Sequence, residues 1–140
     1  MECIFCKIAA GQIPSGKVYE NDLVFAFMDI NPLSEGHVLV IPKEHYERFD
    51  QCPPQVASEI AVWIGRIASA VVSGVDCDGY NVLCNNGSAA GQEVKHVHFH
   101  IIPRSYGDGI FTEWPAKNYS EDKIETIRNK ISEKIQNADN

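Results

Sequence analysis

The segment His96-Val97-His98-Phe99-His100-Ile101-Ile102 sets three imidazoles at alternate positions between apolar residues. A β-strand is the conformation that alternation fits. Successive side chains point to opposite faces, so the histidines share one face and Val97, Phe99 and Ile101 take the other, toward a core. Imidazole is the side chain suited to proton transfer, attack on phosphorus or metal binding near neutral pH. A polar strand face that is merely His-rich is one reading of the row. A metal site made of all three rings is another. Same-face positions lie roughly 7 Å apart, whereas zinc–nitrogen bonds are about 2.0 Å. One ring can therefore be a ligand, but all three cannot reach one ion unless the strand bends.

The surrounding pattern predicts an α+β fold: an antiparallel sheet of about five strands with a central and a C-terminal helix. Lys17–Glu20, Leu23–Ile30 and His37–Ile41 read as strands separated by turns at Asn21-Asp22 and Ser34-Glu35-Gly36. Short connections make such strands pair antiparallel. Val56, Ile60, Trp63, Ile64, Ile67 and Val71 then recur at helical spacing between Pro53-Pro54 and Gly74. Tyr80–Asn85 and Val94–Pro103 return to strand. A short helical turn fits Cys6 to Ala10. Ser120 can cap a last helix, about 120–136, that puts Ile124, Ile127, Ile131 and Ile135 on one face. With 140 residues and no repeat or linker, a single domain over 1–140 is expected, its core about 3–104 followed by a C-terminal extension.

Charge and cysteine usage narrow the setting. A net charge of -7 argues against a nucleic acid polymer as partner and leaves a small nucleotide open. No run reads as long and apolar enough for a bilayer, and the N-terminus has no basic, apolar secretion signal. Five cysteines, with Cys52, Cys77 and Cys84 scattered, fit a reducing compartment better than a disulfide framework. A cytoplasmic protein is the expectation.

Three further constellations carry chemistry. Cys3-Ile4-Phe5-Cys6 can chelate zinc, act as a redox pair, or be two buried thiols. Zinc is preferred because no βαβ pattern surrounds the pair, and His45 and His96 are candidates for the two remaining ligands. Phe27 and Asp29 share a strand face, where a ring can pack against a base and a carboxylate can accept from ribose hydroxyls. Taken alone, a core Phe27 and an Asp29 that caps the turn at Asn31-Pro32 explain them better. The small residues from Asn85 to Gln92 either let backbone N–H groups approach an anion or form a flexible connection. Their position just before the histidine row favours the first.

Together these residues resemble the histidine-triad (HIT) superfamily, whose signature is His-φ-His-φ-His-φ-φ with φ apolar. The resemblance covers about Cys3 to Arg104 and includes Cys3-Ile4-Phe5-Cys6-Lys7-Ile8, Phe27-Met28-Asp29-Ile30, Gly36-His37-Val38-Leu39-Val40-Ile41-Pro42-Lys43 and Gly91-Gln92. It is nearest to the nucleotide-binding branch, bacterial-type members with an N-terminal Cys-x-x-Cys. It implies a hydrolase or transferase acting at the α-phosphate of purine nucleoside phosphoramidates or related nucleotides. His98 would be the nucleophile that forms a nucleotidyl-histidine, His100 would bind the phosphate and assist the transfer, and His37 would support them. On chemical grounds, backbone donors around Gly91 together with a protonated His100 would stabilise the charge of the transition state. Ile4, Phe5, Ile8, Phe27 and Leu39 would form the base pocket and Asp29 the ribose contact. Asn85, Gly91 and Gln92 would contact ribose or phosphate. Glu93 stands where some relatives have Ser or Thr, and its charge would bear on the leaving group. Cys3, Cys6, His45 and His96 would hold a structural Zn2+, and the chain would form a homodimer. A nucleotide-binding regulatory module with little turnover is the rival reading. A zinc-binding structural protein is the third.

Overall fold

The computed structural model describes residues 2–138. The chain divides into two compact units, residues 1–110 and 111–140. In the first, α1 (Ile4–Ala9), β1 (Lys17–Glu20), β2 (Val24–Met28), β3 (Val38–Pro42), α2 (Pro54–Val75), β4 (Gly79–Leu83) and β5 (Phe99–Arg104) follow in order. The strands form one sheet in the order β1-β2-β3-β5-β4, with every neighbouring pair antiparallel.

The pleat gives this sheet two apolar faces. Val24, Ala26, Val38, Val40 and Ile101 pack against Val56, Ile60, Ile67, Ala68 and Val71 of α2. Phe25, Phe27, Leu39 and Ile41 point the other way and pack with Cys3, Phe5 and Ile8 at the N-terminus. The pairings Phe27↔Leu39, Leu39↔His100 and Leu83↔His100 put the imidazole of His100 on this second face, where α1 covers only part of the sheet. Gly36 makes the tight entry into β3: its φ is +91°, and a Cβ there would meet Val75 Cγ1 at 2.8 Å.

Several boundaries differ from expectation for identifiable reasons. The strand expected over Val94–Pro103 forms a ladder only from Phe99. The backbone bends at residues 94–96, and Val97 N–H donates to Tyr46 O instead of to a neighbouring strand. His96 therefore turns away from the line of His98 and His100. Strand β2 stops at Met28 because Asp29 Oδ1 accepts the Asn31 N–H at 2.8 Å and begins a turn. The expectation that no segment has the length and apolarity to cross a bilayer is corrected by α2, whose 22 residues meet both conditions by length and composition. One side of it is the core contact just described. Val62 on another side is exposed.

In the second unit α3 spans Lys123–Ala138, starting three residues after the Ser120 expected to cap it. Ser120 instead offers its carbonyl to the Lys123 N–H at 3.1 Å. Ile124, Ile131 and Ile135 on this helix are exposed.

Candidate active site

His98 is 94 % buried, with its ring edge-on to Phe5 at 5.1 Å between centroids. Its Nδ1 lies 2.7 Å from the carbonyl of His96. A carbonyl can only accept, so Nδ1 carries a proton and, in the neutral ring, Nε2 holds the free lone pair. Nε2 makes no hydrogen bond, and among the described residues no buried polar side-chain atom lacks one. That nitrogen therefore opens to solvent. In its neutral form, an imidazole with its proton held behind it and its lone pair exposed is arranged as a nucleophile.

A second chain of contacts joins His100 to residues before β3. The Leu33 N–H donates to His37 Nδ1 at 3.1 Å. His37 Nε2 lies 2.9 Å from His100 Nδ1 and 3.5 Å from Asp29 Oδ2. Burial lowers the pKa of His37, with Asp29 opposing the shift. Burial, then His98 and His37, push His100 down to about 4, with Asp29 again opposing. At neutral pH His100 is thus uncharged, which corrects the protonated form expected from the sequence. Asp29 has both roles considered for it, since Oδ1 caps the turn while Oδ2 stays beside the imidazoles.

His96 points into a different cluster. Its Nε2–H is taken by Pro42 O at 2.8 Å, which leaves the Nδ1 lone pair facing Cys3 Sγ at 3.4 Å, Cys6 Sγ at 3.5 Å and His45 Nδ1 at 3.2 Å. Cys6 Sγ also lies 3.4 Å from His45 Nδ1. Tetrahedral zinc with bonds of about 2.3 Å to sulfur and about 2.0 Å to nitrogen would need ligand–ligand edges of roughly 3.3–3.8 Å. These four distances come within about 0.2 Å of that frame, all four donor atoms lie within 4.8 Å of one another, and their number and type suit a closed structural site. Asp29, His37 and His100 also bring three donor atoms together. That trio fits a metal poorly, because the Leu33 N–H occupies His37 Nδ1 and so keeps a proton, not a lone pair, on Nε2.

The remaining predicted residues fall around these groups. Phe5, Ile8, Phe27 and Leu39 are buried together beside His98, and Phe25 and Ile41, which the sequence reading did not single out, complete their cluster. Ile4 is half exposed on α1 and lies outside that cluster. Gly91 has a φ of +90°, and a Cβ there would sit 3.5 Å from Asn85 Nδ2. Asn85 Nδ2 in turn approaches Gly91 O at 3.5 Å. Glu93 is exposed.

Gln92 is buried and has a structural task. Its Oε1 accepts the Gly87 N–H at 2.7 Å, and its Nε2 donates to Glu47 O at 2.7 Å. Asn86, missed at the sequence level, makes a parallel tie by accepting the Phe49 N–H at 2.7 Å. These two amides fasten the loop before the histidines to the segment after β3. Gln92→Ala is expected to cost about 1–2 kcal/mol by removing two short hydrogen bonds that a buried amide makes to part-buried backbone groups, as urea unfolding would measure.

The HIT domain family matches residues 10–107. The chain is 41 % identical over 138 residues to the adenosine 5′-monophosphoramidase of Saccharomyces cerevisiae, covering 98 % of this chain and 85 % of that one. The crystal structure of a member of the HIT family from Bacillus subtilis superposes with a TM-score of 0.89 at 42 % identity, covering 95 % of this chain and 96 % of that one. A zinc-bound histidine triad family protein from Mycobacterium smegmatis gives 0.74 at 36 % identity, covering 91 % of this chain and 89 % of that one. With the family signature filled at every position and this extent of likeness in sequence and fold, the chain belongs to the HIT domain family.

Proposed function

We propose that this protein hydrolyses purine nucleoside phosphoramidates or related nucleotides at the α-phosphate through a nucleotidyl-His98 intermediate. One observation carries the reading: His98 keeps its Nδ1 proton on the His96 carbonyl at 2.7 Å and its Nε2 lone pair open. The Nε2–phosphorus bond forms as the bond from phosphorus to the leaving group breaks. Water then attacks phosphorus, and the electron pair returns to Nε2. Imidazole is both a good nucleophile and a good leaving group, so one hard displacement becomes two easier ones. The purine packs near Phe5, Ile8, Phe27 and Leu39, and Asp29 takes the ribose. The phosphate sits between His100 and the Asn85–Gly91 loop, where fixed donors stabilise the added charge. The activity in the name of the yeast relative supports the same substrate class.

Cys3, Cys6, His45 and His96 are proposed to hold one zinc ion, whose contribution when bound is to pin α1 to the segment ahead of β5. That arrangement leaves His96 free of any catalytic duty. A homodimer is also proposed, resting on the apolar face of α2 around Val62 and on the edge strand β4, where Tyr80 and Val82 are exposed. Five free thiols support a reducing, cytoplasmic setting.

Acid-quenching the protein during turnover of adenosine 5′-phosphoramidate should trap an AMP adduct, and peptide mass analysis should find it on His98. Turnover with the adduct on another residue, or no turnover at all, overturns the proposal. Tight AMP binding without turnover would favour the regulatory module.

A further inference from the structure

We infer that His37 is a positioning residue, through which the Leu33 backbone amide fixes the tautomer of His100 and makes it an uncharged hydrogen-bond donor, not a proton donor. The inference rests on the proposed reaction and adds the role of its second imidazole.

The Leu33 N–H can only donate, so the His37 Nδ1 it meets at 3.1 Å holds a lone pair. A neutral imidazole has one N–H, so that of His37 is on Nε2. Nε2 faces His100 Nδ1 at 2.9 Å, with Asp29 farther off at 3.5 Å. His100 Nδ1 must therefore accept, and the His100 proton lies on Nε2. That Nε2 makes no hydrogen bond within the protein and opens to solvent, since no buried side-chain polar atom among the described residues is unpaired. Protonating His100 at Nδ1 would set two N–H groups against each other across 2.9 Å. The titratable groups that act on His100 are Asp29 after β2, His37 before β3 and His98 on its own segment. Their combined effect with burial keeps it neutral, in agreement with the tautomer argument.

The turn that supplies the amide is itself braced. Ser34 Oγ donates to Pro103 O at 2.7 Å, and Asn31 N–H is held by Asp29. Residues 31–34 thus connect the end of β5 to a hydrogen bond that aims His100, with Leu33 contributing only its backbone.

The reaction balances on these terms. Neither imidazole of the pair can release a proton without becoming an anion. The leaving amine therefore takes its proton from solvent water as the electron pair of the P–N bond departs with it. In the second step, the water that attacks phosphorus returns one proton to solvent, and the electron pair of the His98–phosphorus bond returns to Nε2. His100 Nε2–H stays bonded throughout and donates to the phosphoryl oxygens.

Two measurements test this. Long-range proton–nitrogen NMR on the histidine-labelled full chain should find His100 Nδ1 unprotonated and Nε2 protonated from pH 8 to 5.5. The reverse tautomer, or titration of His100 within that range, overturns the inference without any variant having to fold. The second compares His100→Gln, which keeps a neutral N–H and an acceptor, on an alkylamine phosphoramidate of AMP and on the p-nitrophenyl ester of AMP. The expected loss in kcat/KM is about threefold to tenfold and equal on both substrates, against roughly 100-fold for His100→Leu. A loss confined to the alkylamine substrate would make His100 the acid and end the inference. If the wild type turns over neither compound, the proposed function fails first.

Discussion

His98→Ala loses turnover of adenosine 5′-phosphoramidate by roughly 10⁴-fold or more, the scale on which removing a nucleophile acts. No other group is placed to take over. His100 Nε2 holds a proton and has no lone pair to offer, His37 Nε2 is spent on His100, and His96 Nε2 is spent on Pro42 O. The substitution also removes a buried imidazole packed edge-on to Phe5, so stability falls by about 1–3 kcal/mol and the variant stays folded. His98→Asn separates the two effects. Its amide N–H can keep the bond to the His96 carbonyl and fill most of the space, yet it has no nucleophilic nitrogen. It is expected to melt close to the wild type and to be as inactive as the alanine variant. Both should still bind AMP, because the proposed purine contacts lie on α1, β2 and β3 and the proposed ribose contact, Asp29, directly follows β2. Steady-state kinetics, urea unfolding and AMP titration check the three parts. More than 1 % residual activity in both variants would mean another atom attacks phosphorus.

Much of this arrangement was legible because it depends on local alternation. Strand β1 falls where Lys17–Glu20 placed it, and α2 follows the periodicity from Val56 to Val71. The two-face logic of the sheet also follows from the pleat once Leu39 and His100 are paired. What escaped the sequence depends on distant backbone groups. The bend at His96 is set by the Val97–Tyr46 hydrogen bond and by Cys3, 93 positions away, so strict alternation predicted one line of three imidazoles where the structure has a pair and an outlier. That departure is what lets one histidine join the cysteines while two stay at the proposed reaction site. The Leu33 amide had no side-chain signal to reveal it, yet its bond to His37 sets which nitrogen of His37 faces His100. Gln92 was noticed for a substrate role, while both ends of its amide are bound within the protein.

Removing the proposed zinc should have the second-largest effect, and it should appear in stability before chemistry. Helix α1 has only six residues, too few to persist unaided. Phe5 and Ile8 bury one side of it, but Cys3 and Cys6 sit where four donors from three distant segments converge. Burial and the neighbouring Cys3 raise the Cys6 thiol to about 11, so without a cation this sulfur stays protonated and holds His45 only through a weak hydrogen bond. A bound zinc makes both sulfurs thiolates and turns these contacts into bonds. At a free zinc level a thousandfold above its dissociation constant, binding to the folded state alone adds about 4 kcal/mol. Protein purified without chelator is expected to carry about one zinc per chain, and stripping it should lower the melting temperature by several degrees. KM should rise more than kcat falls, because α1 supplies Phe5 and Ile8 to the proposed purine pocket while His98 is fixed by the His96 carbonyl. The Cys3→Ser/Cys6→Ser variant should melt like the stripped protein and ignore further chelation. Protein free of zinc as purified, melting at the same temperature with and without added zinc, would leave Cys3 and Cys6 as packed thiols and return the anchoring of α1 to its two apolar side chains.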